Sequence, residues 1–227
     1  MKMVLRNILA IIFVASFSFT VNANLITSDT ILNSVVVDFS TQPTVSNVSG
    51  PIQIGGLVGL DIEVTTFNGN NGLYTNYNGW GLCSNGSWGS PRTYISSQSQ
   101  AGMRIAFNDG PVAEVGALMN NARGCGPDMV ITALDADMNV LETYNITQLA
   151  EIDTNDGAFR GISRSNADIA YFEINGESPV LDDLTFSAIA REPATPVPMS
   201  VGSLILLAGI LSLFGLITIR RRNKSIV

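Results

Sequence analysis

Cys83 and Cys125 are the two cysteines of this 227-residue chain, which contains no histidine. A nucleophilic thiol or hydroxyl needs a neighbouring base, so the lack of histidine excludes Ser-His and Cys-His catalysis and histidine-ligated zinc. An even cysteine count in an exported protein is typical of a disulfide framework. We therefore predict a Cys83–Cys125 disulfide, with a catalytic thiol as the less favoured alternative.

Carboxylates are the remaining candidates for catalysis, because a glycosidase needs a pair of them. Nothing in their spacing selects two partners, and isolated glutamates on strand faces are usually solvated charge. We therefore expect no enzymatic activity. The glutamates considered are Glu63, Glu114, Glu142, Glu151 and Glu173.

A stretch rich in glycine, asparagine and aromatic residues, Phe67 to Ser90, is too long for an ordinary hairpin loop. Aromatic rings stack on the apolar faces of pyranoses, and asparagine amides supply paired hydrogen bonds. The stretch therefore predicts a carbohydrate-binding surface. The alternative is that the rings only pack the loop down, with Cys83 as a staple. The candidate rings are Tyr74, Tyr77, Trp80 and Trp88.

The elements that position these residues are predicted to be β-strands, because apolar residues alternate with polar ones at period two. Asn-Gly, Asp-Gly and Gly-Gly pairs separate the strands, and no amphipathic helix of ordinary length competes. We predict an all-β antiparallel sandwich. The predicted strands are 35–39, 51–54, 61–67, 103–107, 112–119, 129–134, 140–146, 169–174 and 184–188.

The link between two of these strands, Asp135-Ala-Asp137-Met-Asn139, matches the start of a calcium-binding EF-hand loop. Its sixth position is Val140 instead of glycine and its twelfth is Ile146 instead of glutamate, so the chelating loop is incomplete. We predict a hairpin turn.

Both ends of the chain predict export. Residues 1–23 have a basic start, an apolar centre and a small-residue cleavage site, so we predict a signal peptide cut after Ala23. Residues 201–219 are uncharged and would span ~28 Å as a helix, which is close to the hydrocarbon thickness. The basic segment 220–227 predicts a cytoplasmic tail, and residues 191–200 form a proline-rich spacer.

The segment left between the ends, residues 24–190, is long enough for one domain with a substantial core. It contains five arginines and no lysine against 18 aspartates and glutamates, so its net charge is 5 − 18 = −13. Such a surface repels nucleic acid, which we therefore exclude as a partner.

The C-terminal order of a proline motif, an apolar helix and an arginine cluster resembles the PEP-CTERM class of sorting signals. In that class an exosortase, a membrane enzyme, recognises and processes the tail. Here Pro-Val-Pro-Met stands in place of the usual Val-Pro-Glu-Pro, so a permanent single-pass anchor is the alternative. The motif residues are Pro196, Val197, Pro198, Met199, Arg220, Arg221 and Arg222.

The exported segment also resembles the jelly-roll-like ectodomains found among PEP-CTERM proteins. Its closing Leu-Asp-Asp-Leu-Thr-Phe is the most recognisable part of the likeness. The resemblance implies a jelly-roll-like β-sandwich associated with extracellular polysaccharide or biofilm. The other similar segments are 52–59, 111–121, 133–144 and 158–163.

Asp182 is the candidate for a structural calcium ion. It shares parity with Leu184 and Phe186, so its carboxylate points towards the core if the strand already begins there. A buried carboxylate needs a partner. By analogy with exported jelly rolls that partner is Ca²⁺, with Asp38 as a second ligand. The alternative is a carboxylate satisfied by backbone N–H groups.

Together these features predict an exported, non-catalytic protein of a Gram-negative-type bacterium, held at the membrane or cell surface. The alternatives are a carbohydrate-binding module that uses the aromatic loop 67–90 and a permanently anchored membrane protein.

Overall fold

The computed structural model describes residues 23–67, 71–77, 79–88, 93–98, 101–147 and 157–189. By its internal contacts the chain divides into two units, Met1–Ala190 and Arg191–Val227, and every described residue belongs to the first. The predicted signal peptide, except Ala23, lies outside the described residues, as do the spacer, membrane helix, sorting motif and tail. None of the helical segments within the described ranges has the length and apolar character needed to cross a membrane.

The described residues form β-strands and one 3₁₀ turn, Gly56–Val58, with every strand pair antiparallel. The prediction of an all-β antiparallel protein is therefore confirmed. The strands are β1 (Ala23–Ile26), β2 (Ser34–Val37), β3 (Val45–Val48), β4 (Ile52–Gln53), β5 (Ile62–Thr65), β6 (Leu73–Thr75), β7 (Trp80–Gly81), β8 (Ser87–Trp88), β9 (Ile95–Ser97), β10 (Met103–Phe107), β11 (Glu114–Asn120), β12 (Met129–Leu134), β13 (Val140–Ile146), β14 (Ala158–Arg164), β15 (Tyr171–Asn175) and β16 (Val180–Ser187).

Two large sheets are built from these strands. The eight-stranded sheet has the order β1-β14-β11-β16-β9-β6-β3, with β2 also paired to β16. The six-stranded sheet has the order β13-β12-β15-β10-β5-β4, and β7 pairs with β8 in a small ribbon. The last described strand, β16, is therefore central in its sheet.

The inward faces of both large sheets contribute to one hydrophobic cluster, which is the arrangement of a β-sandwich. Phe107 of β10 and Phe186 of β16 meet within it, with ring centroids 5.1 Å apart. Ile105 and Phe172 are each 1% exposed or less. The alternation seen in the sequence thus places apolar side chains between the sheets.

Arg164 connects strands of the two sheets. Its side chain, 6% exposed, forms two hydrogen bonds with the carboxylate of Asp168, at 2.6 and 2.9 Å. It also lies 3.4 Å from Glu142 of β13 in the other sheet. Because the hydrogen bond with Asp168 favours the charged form, the pKa of Arg164 is raised above its ordinary value.

The predicted hairpin between β12 and β13 is confirmed by their antiparallel register. Asp135 stabilises its turn, accepting hydrogen bonds from the backbone amides of Asp137 at 2.9 Å and Asn139 at 2.8 Å. The Asn139 side-chain amide donates a third bond at 2.9 Å, and these bonds, led by that of the side chain, lower the pKa of Asp135. The carboxylate is therefore engaged in the turn itself.

The strand predicted from residue 184 begins at Val180, and it contains a bulge. The register between β11 and β16 shifts between Gly116 and Leu118, and the extra residue lies on β16. Asp183, at the bulge, has a φ of 50°. A bulge reverses the alternation of faces, so Asp182 does not share the face of Leu184, contrary to the parity argument.

Candidate functional site: the disulfide-closed aromatic loop

The predicted disulfide between Cys83 and Cys125 is present, with a Cα–Cα distance of 5.7 Å. It joins residues 42 positions apart and ties the loop after β7 to the loop after β11. A backbone hydrogen bond from the Gly124 amide to the Cys83 carbonyl, at 3.0 Å, supports the same junction. The loop is therefore attached covalently to the end of a central strand.

Three buried asparagines hold the loop beside the disulfide. The side-chain amide of Asn85 donates to the side-chain oxygen of Asn120 and, at 2.9 Å, to the carbonyl of Asn121. Asn120 returns a bond to the carbonyl of Asn85 at 2.8 Å. All three residues are at most 7% exposed. A buried amide without partners would cost free energy, so this reciprocal bonding fixes the loop in one position.

Trp88 is in the interior of the loop. It is 1% exposed and meets Tyr94 edge to face, with ring centroids 6.1 Å apart. Both belong to a second hydrophobic cluster that includes Leu82 and Val180. A ring this deeply buried has no face to offer a sugar, so Trp88 fits the alternative prediction, that aromatic residues pack the loop down.

Tyr94 carries an ionisable phenol into this cluster. Its hydroxyl donates to the backbone carbonyl of Tyr77. Burial, with a smaller contribution from the nearby Tyr77, raises the pKa of Tyr94 to about 12. The phenol therefore stays protonated and keeps its hydrogen bond at every ordinary pH.

The other three candidate rings form a contiguous cluster. Tyr74 lies 5.2 Å from Tyr77 and 4.7 Å from Trp80 between ring centroids, and Tyr77 lies 6.3 Å from Trp80. Tyr77 is 42% exposed, Trp80 is half-buried and Tyr74 is buried. The Trp80 ring N–H donates to the carbonyl of Ser178 at 3.4 Å. The structure thus brings together Tyr77 and Trp80 at the surface, supported from below by Tyr74.

The two predicted calcium ligands have different surroundings. Asp182 is 5% exposed and lies opposite Leu118, which packs against the second hydrophobic cluster. Its Oδ1 accepts the backbone amide of Asp183 at 2.8 Å, which is the kind of partner that the backbone alternative predicted. Asp38 is exposed, and its Oδ1 accepts the amide and hydroxyl of Ser40 at 3.0 and 2.8 Å.

The Ser40 amide, followed by its hydroxyl, lowers the pKa of Asp38 because both bonds favour the charged carboxylate. Within the described ranges, no group of three or more histidine, cysteine, aspartate or glutamate side chains is arranged to hold a metal ion. Structural calcium stays a prediction.

Sequence reasoning did not identify the asparagine network or Tyr94. Asn85 lies in a run of loop-forming residues, and Asn120 and Asn121 follow a predicted strand, where asparagine is common for local reasons. The only signal that linked these segments was the pair of cysteines. Because each cysteine lies within five positions of an asparagine of the network, the disulfide was the clue to the contact.

Neither the models of known protein families nor the sequences of curated proteins give a match to this chain. The resemblance to PEP-CTERM proteins therefore stays a prediction.

Proposed function

We propose that this protein is an exported, non-catalytic cell-surface module of jelly-roll-like form, associated with extracellular polysaccharide. In this proposal the signal peptide 1–23 directs secretion, and the C-terminal region 191–227 sorts and anchors the protein in the manner of PEP-CTERM proteins. The alternative of a permanent single-pass anchor differs only in the retention of that tail.

The observation that carries the proposal is the Cys83–Cys125 disulfide together with the buried amides beside it. Disulfides persist in oxidising compartments and are rare in the bacterial cytosol. Here the bond attaches a loop whose interior contains a small apolar cluster. A protein organised in this way is suited to the space outside the cytoplasmic membrane.

The charge distribution limits the partners. Residues 24–190 have a net charge of −13, and the side chains of Arg104, Arg123 and Arg164 each form an ion pair with a carboxylate. A surface of this kind attracts cations and repels nucleic acid and anionic polymers. Neutral or basic polysaccharides are therefore the favoured matrix partners.

Fractionation of the producing cells and intact-mass measurement of the native protein test this proposal. We expect a membrane or extracellular species that begins at Asn24 and is two hydrogens lighter than its reduced form. Loss of residues after the proline motif would support processing by an exosortase, whereas their retention would support the permanent anchor. A full-length, reduced protein in the cytosol would contradict the whole proposal.

Carbohydrate binding by the aromatic loop is the second candidate function, and the Tyr74–Tyr77–Trp80 cluster specifically favours it. Two adjacent rings are accessible at the surface, and a third supports them. The loop is held by a disulfide and by buried amides, so little conformational entropy would be lost on binding. Such rigid, partly exposed rings are suited to stacking against pyranose rings.

Retention of the native protein on polysaccharide beads tests the stacking surface. Tyr77→Ala combined with Trp80→Ala should remove most of the retention, because both exposed rings are lost. Tyr77→Phe is the matched control, since it keeps the ring and leaves the backbone carbonyl that Tyr94 uses. Retention that survives the double alanine variant would exclude this surface as the binding site.

A further inference from the structure

A groove of about 240 Å³ opens to solvent on the outer face of the eight-stranded sheet. Its lining includes two acidic residues, Asp29 and Asp183, and two hydroxyl residues, Ser34 and Thr185. Val36, Leu118 and Phe159 supply the apolar part. Ligand pockets for drug-sized molecules begin at ~300 Å³, so this groove suits a single ring-sized unit.

Gly116 makes room for the ring of Phe159, which lines the groove. In the strand register Gly161 lies opposite Gly116, and Gly116 lies opposite Thr185, so neighbouring strands lack side chains there. The Phe159 ring occupies part of this space, since a Cβ added at Gly116 would lie 2.7 Å from its Cε1 and Cζ atoms. The Phe159 ring therefore lies against the backbone of Gly116 and forms part of the apolar lining.

The bulge on β16 places an acidic residue in the lining of this groove. Its residue Asp183, with a φ of 50°, lines the groove and is partly exposed. The bulge is held on both sides, because the Asp183 amide donates to Asp182 and the Thr185 hydroxyl donates to the Asp183 carbonyl, both at 2.8 Å. Bulges that redirect side chains in this way are over-represented beside functional sites.

The chemistry of the lining selects a ligand class. Ionised carboxylates only accept hydrogen bonds, so the ligand must supply donors. No arginine or lysine of the described ranges lines the groove, and the domain as a whole is strongly acidic, so a cationic donor is favoured over an anionic one. The apolar lining is matched by the C–H face of a sugar ring, and the exposed Ser34 by one of its hydroxyl groups.

We propose that this groove binds one amino-sugar residue of a polysaccharide, with its protonated amine between Asp29 and Asp183. The inference rests on the proposed function, because it names the class of polysaccharide that the exported protein would contact. It is independent of the aromatic cluster, which shares none of these lining residues.

Titration calorimetry of the native exported protein with glucosamine oligomers tests the proposal. N-acetylglucosamine oligomers keep the ring but lose the charge, and spermidine keeps the charge but lacks the ring. We expect glucosamine oligomers to bind more tightly than either. Asp29→Asn and Asp183→Asn should each weaken that binding about tenfold, the loss expected for one charge-assisted hydrogen bond.

Asp137→Asn is the matched control, because it makes the same charge change on the exposed turn between β12 and β13. Asparagine tolerates a positive φ, so Asp183→Asn should keep the fold, and its thermal midpoint and near-ultraviolet circular dichroism verify this. The proposal is overturned if glucosamine oligomers do not bind, if N-acetylated oligomers or spermidine bind as tightly, or if Asp137→Asn weakens binding equally.

Fractionation of cells that produce the wild-type protein or a variant separates the failure of this proposal from the failure of the proposed function. If the Asp29→Asn, Asp183→Asn double variant is exported and retained in the matrix like the wild-type protein, the groove is not the matrix contact and the proposed function stands. If the wild-type protein is not exported, the proposed function fails independently of what the groove binds.

Discussion

Single polar groups decide how the aromatic loop is held against the sheet. Tyr94 is fully buried, yet its hydroxyl has a partner in the carbonyl of Tyr77. Asn85 and Asn120 satisfy one another in the same region. Because each of these groups would be costly to bury alone, their pairing selects one arrangement of the loop.

Tyr94 gives the protein a defined sensitivity to alkali. Below pH 10 its phenol is protonated in both the folded and the unfolded chain, so its ionisation does not lower the free energy of unfolding. Between pH 10 and about 12 the unfolded chain releases the proton while the folded protein retains it, so the free energy of unfolding falls. Two pKa units limit the loss from this residue to about 3 kcal/mol.

Urea denaturation across this pH range checks the prediction. Tyr94→Phe removes the ionisable group and keeps the ring, so the variant should lose less stability from pH 10 to 12 than the wild-type protein does. Equal losses in the two proteins would show that other groups cause the alkaline destabilisation.

At the scale of elements, the strands most visible in the sequence are those with one buried face. β10 alternates throughout between buried and half-buried residues, β12 does so up to Ala133, and the predicted bounds of both strands are observed. β14 was missed, because Gly161 and the arginines Arg160 and Arg164 interrupt its apolar pattern. The short strands β6 to β8 were missed because they lie in glycine- and asparagine-rich sequence that indicates turns.

The bulge explains why the site was only partly predictable. A period of two contains no sign of an inserted residue, so Asp182 was assigned to the wrong face, and the position of Asp183 in the lining of the groove was not foreseen. The aromatic candidates were recognised by type, but their exposure was not. Whether a ring such as Trp88 or Tyr77 is buried depends on which loop folds over it, and that information is not local in sequence.

The Arg164 contacts show how the two sheets are connected by charge. Arg164→Met should lower the free energy of unfolding by about 2 kcal/mol, because charge-assisted hydrogen bonds to Asp168 are lost where the side chain is buried. Arg123→Met is the matched control. Its ion pair with Asp128 is exposed, so the loss should stay below about 1 kcal/mol.

Chemical denaturation of both variants gives the comparison. Similar losses in the two variants would mean that the position of Arg164 between the sheets does not strengthen its ion pairs.

At the scale of the whole molecule, the disulfide restricts the unfolded chain. It closes a segment of 42 positions, for which the chain-entropy treatment predicts a stabilisation of about 4 kcal/mol. Cys83→Ser combined with Cys125→Ser should therefore lower the free energy of unfolding by about that amount. The same loss is expected when the wild-type protein is reduced with dithiothreitol, since either change releases the closed segment.

Thermal and urea unfolding of the oxidised protein, the reduced protein and the double serine variant check this prediction. Dithiothreitol should have no effect on the serine variant, which makes it the control for the reagent. An unchanged unfolding midpoint after verified reduction would contradict the prediction.

The central position of β16 has a mechanical consequence. Its hydrogen bonds to β11 on one side and to β2 and β9 on the other hold the strand along its length. Tension applied from the C-terminal side of Ser187 would load these bonds in shear, so many must yield together. The domain is thereby built to resist pulling from that end. In a force-extension experiment the disulfide would keep ~140 Å of chain from extending until it is reduced.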